Sequence, residues 1–383
     1  MTTTHDERAE ARSAFDIPAD IAYLNCASLC VRLHTVTTAG RDAVDQMSRP
    51  WAVRADAWFS QAMQVRGLFA NIVGANAASV ALVPSVSYGI AAAARNLPVR
   101  DGQNIVVLAD EFPSNYYSWA RLARERGAHL RTATPAAGQS PTDAVIAAID
   151  RDTAIVSVPN CHWTDGRVLD VVRIGAEARR RGAALVLDAS QSIGVLPLDV
   201  AEVKPDFLVT VGYKWLLGPY GVAYLYVDER WHDGVPLEES WLHREGADNF
   251  ATLADYTNAY KPGAQRYNQG EPPQFYLLPM AAAALAQVNT WTPARIQAAL
   301  REWNDELASR LEPLGVSMPA AHERVGHILG LTFADGLPAG INEQLRAENI
   351  YVGMRGKGLR VAPHRHATED HIDRLVAALK NFV

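Results

Sequence analysis

From about residue 79 to 227 the chain alternates short apolar runs with amphipathic stretches. The runs Val80–Val83, Asn104–Leu108, Ala154–Val158, Ala184–Leu187 and Phe207–Val211 read as strands. Val86–Arg95, Asn115–Arg126 and Val171–Arg181 read as the helices between them. Strands that alternate with helices specify βαβ units and a mostly parallel sheet. Each run is apolar without interruption, as expected of strands covered on both faces. The third helix carries its own punctuation: Asp170 as N-cap, three arginines in the last turn and Gly182 as the stop.

After Val227 the pattern changes. Residues 228–272 are rich in Gly, Pro, Asn and aromatics, with little periodicity. A loop this long inside a compact domain is usually functional or disordered. Helical periodicity resumes at Pro273–Val288 and Pro293–Leu311. A strand (His327–Phe333), a helix (Ile341–Glu348), two strands (Tyr351–Met354, Leu359–Pro363) and a last helix (Thr368–Phe382) follow. This pattern predicts a large α/β domain over 18–285. It also predicts a smaller α+β domain over 286–383, joined by the N-terminal segment 1–17. There is no internal repeat and no low-complexity tract.

Composition narrows the classes. Of 383 residues, 49% are hydrophobic and 20% charged, an ordinary globular balance. The net charge of −6 gives no basic excess for nucleic acid or an anionic membrane. No apolar run reaches the ~20 residues of a membrane helix, and the polar N-terminus is not a signal peptide. We therefore expect a cytoplasmic protein. Cys26, Cys30 and Cys161 are too few for a disulfide framework and lack the second pair of a zinc site.

The chain has five lysines, and one stands out. In VTVGYKWLLGPYGVAYLYV (209–227), Lys214 follows an apolar strand and precedes an apolar, glycine-punctuated stretch. Burial there would lower its pKa and make an imine-forming amine, unless it is a surface lysine on a turn. In ALVLDASQSIG (184–194), Asp188 ends a buried strand, at the sheet edge where open α/β folds bind ligands. It could keep a pyridinium nitrogen protonated, or merely cap the next turn. In LVPSVSYGIAAAARN (82–96), Ser85 and Ser87 open a helix, where free N–H groups hold an anion; serine is also an ordinary N-cap. No Walker A or G-x-G-x-x-G loop is present, which leaves a dinucleotide-binding dehydrogenase without its fingerprint.

Taken together, these motifs resemble the class V aminotransferase family of fold-type I pyridoxal 5′-phosphate (PLP) enzymes, which includes cysteine desulfurases, selenocysteine lyases, kynureninase-like enzymes and isopenicillin N epimerase-like proteins. The resemblance runs from YLNCAS at residue 23 to the final helix. It implies an α/β fold: a mostly parallel seven-stranded sheet sandwiched by helices, plus the small C-terminal domain. It also implies roles. Lys214 would carry PLP as an imine and Asp188 would pair with the ring nitrogen. Gln191 and Asn160 would hydrogen-bond the ring hydroxyl. The Val86 N–H, the Ser87 hydroxyl and Tyr213 would bind phosphate, and Phe112 would stack on the ring. Arg360 would clamp the substrate carboxylate, with Asn25 beside the substrate and Arg355 as an alternative clamp or a plain salt-bridge residue. Gly270 and Glu271, in RYNQGE (266–271), would reach the phosphate of a partner subunit, which makes the protein a homodimer with shared sites. His162 and His243 are open to acid–base or structural roles. Tyr116, Tyr117, Trp119, Trp241 and Tyr267 are open to pocket-lining or packing.

Two departures narrow the chemistry. No cysteine follows residue 161, so the segment YVGMRGKGLR lacks the sulfur acceptor of a persulfide-forming desulfurase. Many relatives carry histidine where this chain has Phe112, which stacks but cannot titrate. Lys214 is then left with the proton transfers. The expectation is a transformation of an amino acid through a Cα carbanion, with transamination favoured over β-elimination or epimerisation. A non-enzymatic descendant of the fold is the third reading.

Overall fold

The computed structural model describes residues 10–382. Eleven strands are present: β1 (Ala22–Leu24), β2 (Val80–Val83), β3 (Asn104–Leu108), β4 (His129–Ala133), β5 (Thr153–Pro159), β6 (Ala184–Asp188), β7 (Phe207–Val211), β8 (Ala223–Val227), β9 (Leu329–Thr332), β10 (Ile350–Arg355) and β11 (Gly358–Val361). The central sheet has seven strands in the order β2-β8-β7-β6-β5-β3-β4. Within it β8 alone runs against its neighbours β2 and β7. The expected α/β sheet is therefore present.

Its strands are apolar throughout because both faces are covered. Leu82, Val106, Val156, Leu185 and Leu208 enter one core cluster. Ala81, Ile105, Ile155, Val186 and Phe207 enter another on the opposite face. Alternate side chains of one strand thus serve two cores. The helices Val86–Asn96, Tyr117–Arg126 and Val171–Arg181 lie close to their expected bounds. The second begins two residues late: Asn115 is held in a short 3-10 turn, where its Oδ1 accepts the Trp119 indole N–H and the Ser157 hydroxyl.

Several elements had no clear signal. The edge strand β4 is largely exposed and polar. β8 follows β7 so closely that the two apolar runs read as one. Helices His34–Met47 and Ala57–Val73 precede the first predicted element and bracket Leu278–Trp291, whose Asn289 donates to Leu68 O at 3.0 Å. Pro279 sits in the first turn of that helix, which therefore starts later than Pro273.

A second, four-stranded sheet has the order β1-β10-β11-β9. Leu311, Leu331, Leu345, Val361 and Leu375 form its core. Residues 228–272 contain only short 3-10 turns. This stretch meets the sheet edge through Asn268, whose Oδ1 accepts Leu82 N–H at 2.7 Å, and Gln269, whose N–H donates to Leu82 O at 2.9 Å. Those bonds cover the outer edge of β2. Among the described residues, no helix is long and apolar enough to cross a membrane.

Candidate active site

Parallel strands deliver their following loops to one edge of a sheet. Here the ends of β2, β3, β5, β6 and β7 surround a cavity of about 260 Å³. Lys214, Asp188, Gln191, Phe112, Val86, Ser87 and Tyr213 all line it, together with Glu111, Ser114, Ser190, Trp163 and Tyr220. Seven of the residues expected at the site are thereby brought to one place from four separate segments.

Lys214 sits in the tight loop between β7 and β8. Gly212 N–H donates to Val222 O at 2.9 Å and Gly218 N–H donates to Gly212 O at 2.8 Å, which closes the loop. Gly194 supports it from beneath. Its φ is +101°, and a Cβ there would lie 2.4 Å from Trp215 O, so only glycine fits. The lysine is 8% exposed. Burial, aided by the positive charges of Arg360 and Arg355, lowers its pKa to about 8 against the pull of Asp188. Its Nζ lies 5.5 Å from the centroid of the Phe112 ring.

Asp188 ends β6 and accepts Ser190 N–H at 3.0 Å. Burial raises its pKa, while the Ser190 bond and Lys214 pull it down. Glu111 shares the cavity and had no signal in the sequence beyond being an acid beside Phe112. Its Oε1 accepts Phe112 N–H at 2.7 Å, and its Oε2 is shut off from solvent without a partner. Burial, and then the charge of Asp188, raise the Glu111 pKa to about 8.

At the mouth, the Val86–Asn96 helix opens with Ser85 as N-cap, its Oγ accepting Tyr88 N–H at 3.2 Å. The Ser85 and Ser87 hydroxyls are 2.9 Å apart. This pairs free helix N–H groups with two hydroxyls, the donor set an anion requires.

Other expected side chains are engaged by neighbours. Gln191 lines it, but its Oε1 accepts Trp215 Nε1–H and its Nε2 donates to Ala27 O, each at 3.0 Å. Asn160 is buried with its Oδ1 accepting the Ser192 hydroxyl. Arg360 is 1% exposed. It donates to Trp163 O at 2.6 Å, to Ser28 Oγ at 3.0 Å and to Asn25 Oδ1 at 3.4 Å. Arg355 donates to the same Ser28 Oγ at 2.7 Å. Gly270 and Glu271 face a separate surface cleft, with Trp58 and Glu238.

The aromatic and histidine candidates divide. Trp119 and Tyr267 are core residues, and Trp241 packs against Trp58 and Phe250. Tyr116 and Tyr117 are exposed. His162 lies against Asp165 and Thr164, while His243 is buried beside Gln269 O. None of these seven lines the cavity.

A buried amine of lowered pKa, a buried carboxylate, a flat aromatic face and a helix-end anion cradle fit a phosphorylated pyridine aldehyde. The unpartnered Ser190 Oγ and Glu111 Oε2 supply further polar contacts at the wall. The chain is similar to several known proteins. An uncharacterized aminotransferase, YcbU, of Bacillus subtilis is 28% identical, covering 80% of each chain. A kynureninase of Deinococcus radiodurans is 32% identical over 73% of this chain and 68% of its own. Isopenicillin N epimerase of Streptomyces clavuligerus is 27% identical over 82% of this chain and 83% of its own. Among solved structures, a C-DES mutant with glycine covalently linked to its PLP cofactor superimposes with a TM-score of 0.87 at 20% identity, covering 97% of this chain and 99% of that one. The model of the aminotransferase class-V family matches residues 46–374. The chain belongs to the class V aminotransferase family.

Proposed function

We propose that this enzyme holds PLP on Lys214 and transforms an amino acid at Cα, with transamination as the outcome. The observation that carries the reading is the placement of Lys214 Nζ beside the Phe112 ring, in one cavity with Asp188. When bound, PLP supplies an electron sink that acidifies the Cα proton of an attached amino acid.

The chain's own residues do the rest. The helix N-terminus at Ser85–Ser87 and Tyr213 hold the phosphate, and Phe112 fixes the ring plane. Asp188 keeps the ring nitrogen protonated: an anion in a dry setting favours a cation beside it. Arg360 orients the substrate carboxylate through its guanidinium fork. Phe112 has no titrating proton, so Lys214 Nζ takes the proton from Cα and returns it. A pKa near 8 suits that exchange close to neutral pH.

Lys214→Ala should abolish turnover by at least ~10³-fold and remove the imine absorbance of the PLP-loaded protein. Turnover at the wild-type rate would end the reading. A titration with L- and D-amino acids separates the outcomes. A pyridoxamine-like spectrum with a 2-oxo acid product marks transamination. Racemised substrate or a released β-substituent marks the second reading, epimerase or lyase. That reading draws support from the likeness to isopenicillin N epimerase and from Lys214 being the sole proton carrier proposed here. None of the three cysteines lies in the 351–360 segment, which argues against a persulfide-forming desulfurase.

We also propose a homodimer in which the half-buried Gly270 and the exposed Glu271 complete the partner's phosphate site. Sedimentation should give twice the chain mass of 41.7 kDa, and a monomer with full PLP affinity would refute it.

A further inference from the structure

Two guanidiniums meet at one hydroxyl. Arg355 and Arg360 both donate to Ser28 Oγ, at 2.7 and 3.0 Å. Among the described residues, neither has a carboxylate within ion-pair distance, and the charges that act on Arg360 are Arg355, Cys161 and Tyr23. Two like charges this close, partly withdrawn from water, are unfavourable without a counter-ion. Every Nη nitrogen already makes a hydrogen bond: those of Arg360 to Trp163 O, Asn25 and Ser28, those of Arg355 to Met354 O and Ser28. In each guanidinium the Nε–H is closed off from solvent without a partner. Trp163, whose ring centroid is 5.7 Å from Arg355 Cζ and whose carbonyl accepts from Arg360, also lines the cavity of Lys214.

One charge is what the α-carboxylate of an amino acid neutralises. The second remains. Resting on the function proposed above, we infer that the site selects an amino acid with a second anionic group, which Arg355 binds while Arg360 holds the α-carboxylate. Ser28 fixes the spacing of the two guanidiniums, and Trp163 moves aside as the dianion enters. The substrate class is an acidic amino acid with its second carboxylate, or an equivalent anion, on the side chain.

The test measures binding rather than turnover. PLP-loaded protein is titrated by visible absorbance with L-aspartate, L-glutamate and L-2-aminoadipate. L-Asparagine, L-glutamine and L-norleucine serve as partners without the second charge. At least one acid should bind about tenfold more tightly than its uncharged partner, the worth of one charge-assisted hydrogen bond. Arg355→Gln should erase that ratio, whatever it does to the affinity that acids and uncharged amino acids share; Arg355→Lys should restore part of the ratio. Equal affinity in the wild type overturns the inference. So does a loss in Arg355→Gln that strikes acids and neutral partners alike, which would place both arginines on one carboxylate. If the variants do not fold, the cofactor-free wild type decides: glutarate should raise its melting temperature and butyrate should not, and equal shifts overturn the inference. Response to the uncharged amino acids alone leaves the proposed function standing. No response to any amino acid removes both.

Discussion

Lys214 owes its chemistry to neighbours that its own segment does not contain. Burial and the two arginines push its pKa down to about 8, and Asp188 pushes it back up. Imine formation needs the neutral amine, so the rate of PLP uptake by cofactor-free protein should rise with pH around a midpoint near 8. An unperturbed lysine would give a midpoint near 10.4. Asp188→Asn removes the opposing charge and should shift the midpoint downward. Stopped-flow absorbance at a series of pH values checks both, and a midpoint above 10 would mean that the amine is not desolvated. Glu111 is the residue that sequence reading passed over. An acid after a strand is ordinary, and only the fold shows that its Oε2 is sealed without a partner in the same cavity as Asp188.

At the scale of elements, loop 212–222 is held by a neighbour from another strand's end. Gly194 lies against Trp215 O with a positive φ. Gly194→Ala adds left-handed strain and a backbone clash, so urea unfolding should show a loss of at least about 2 kcal/mol. PLP affinity should fall with it, because the loop that carries Lys214 must move. A variant as stable as wild type would mean that the loop has slack to give. Element existence was legible wherever apolar runs were long and bounded by caps, as for Val171–Arg181 with Asp170 and Gly182. It was illegible for the polar edge strand β4, which is placed by its parallel pairing with β3 and by Leu130, Arg131 and Ala133 meeting distant segments. We propose that the smaller unit comprises residues 286–383 and also takes β1, which pairs with β10 in register from Ala22↔Ile350.

Across the whole molecule, four buried histidines stand in the C-terminal part, three of them after β11 and His327 before β9. His364 and His366 pack on Phe15, and His366 Nε2 lies 2.8 Å from Tyr23 O. His327 Nε2 lies 2.6 Å from Gln191 O, and His371 shares the capping box of the last helix. Burial lowers all four: His327 to about 3, His366 and His371 to about 4, and His364 well below its ordinary value. They stay neutral in the folded chain, whereas the unfolded chain takes up protons near pH 6.5. Their contribution is complete above that pH and is lost as pH falls from 6.5 toward 4, on the order of 1.4 kcal/mol per unit per histidine. Glu111 and Asp188, whose pKa values are raised, work the other way and offset part of it. The urea midpoint should therefore fall between pH 7 and pH 5. A flat profile would show that these rings already reach water.

The sequence by itself determined the α/β class, the strands with two covered faces and the candidates Lys214 and Asp188, because period, caps and strand-end positions are local properties; Phe112 became a candidate only through the family resemblance. Only the tertiary structure decided which of those candidates share a cavity. It engaged Asn160 and Arg360 in hydrogen bonds outside the cavity lining, placed Gly270 and Glu271 in another cleft, and brought Arg355 and Arg360 to one hydroxyl. Burial and charge proximity depend on segments far apart in the chain, and no local pattern encodes them.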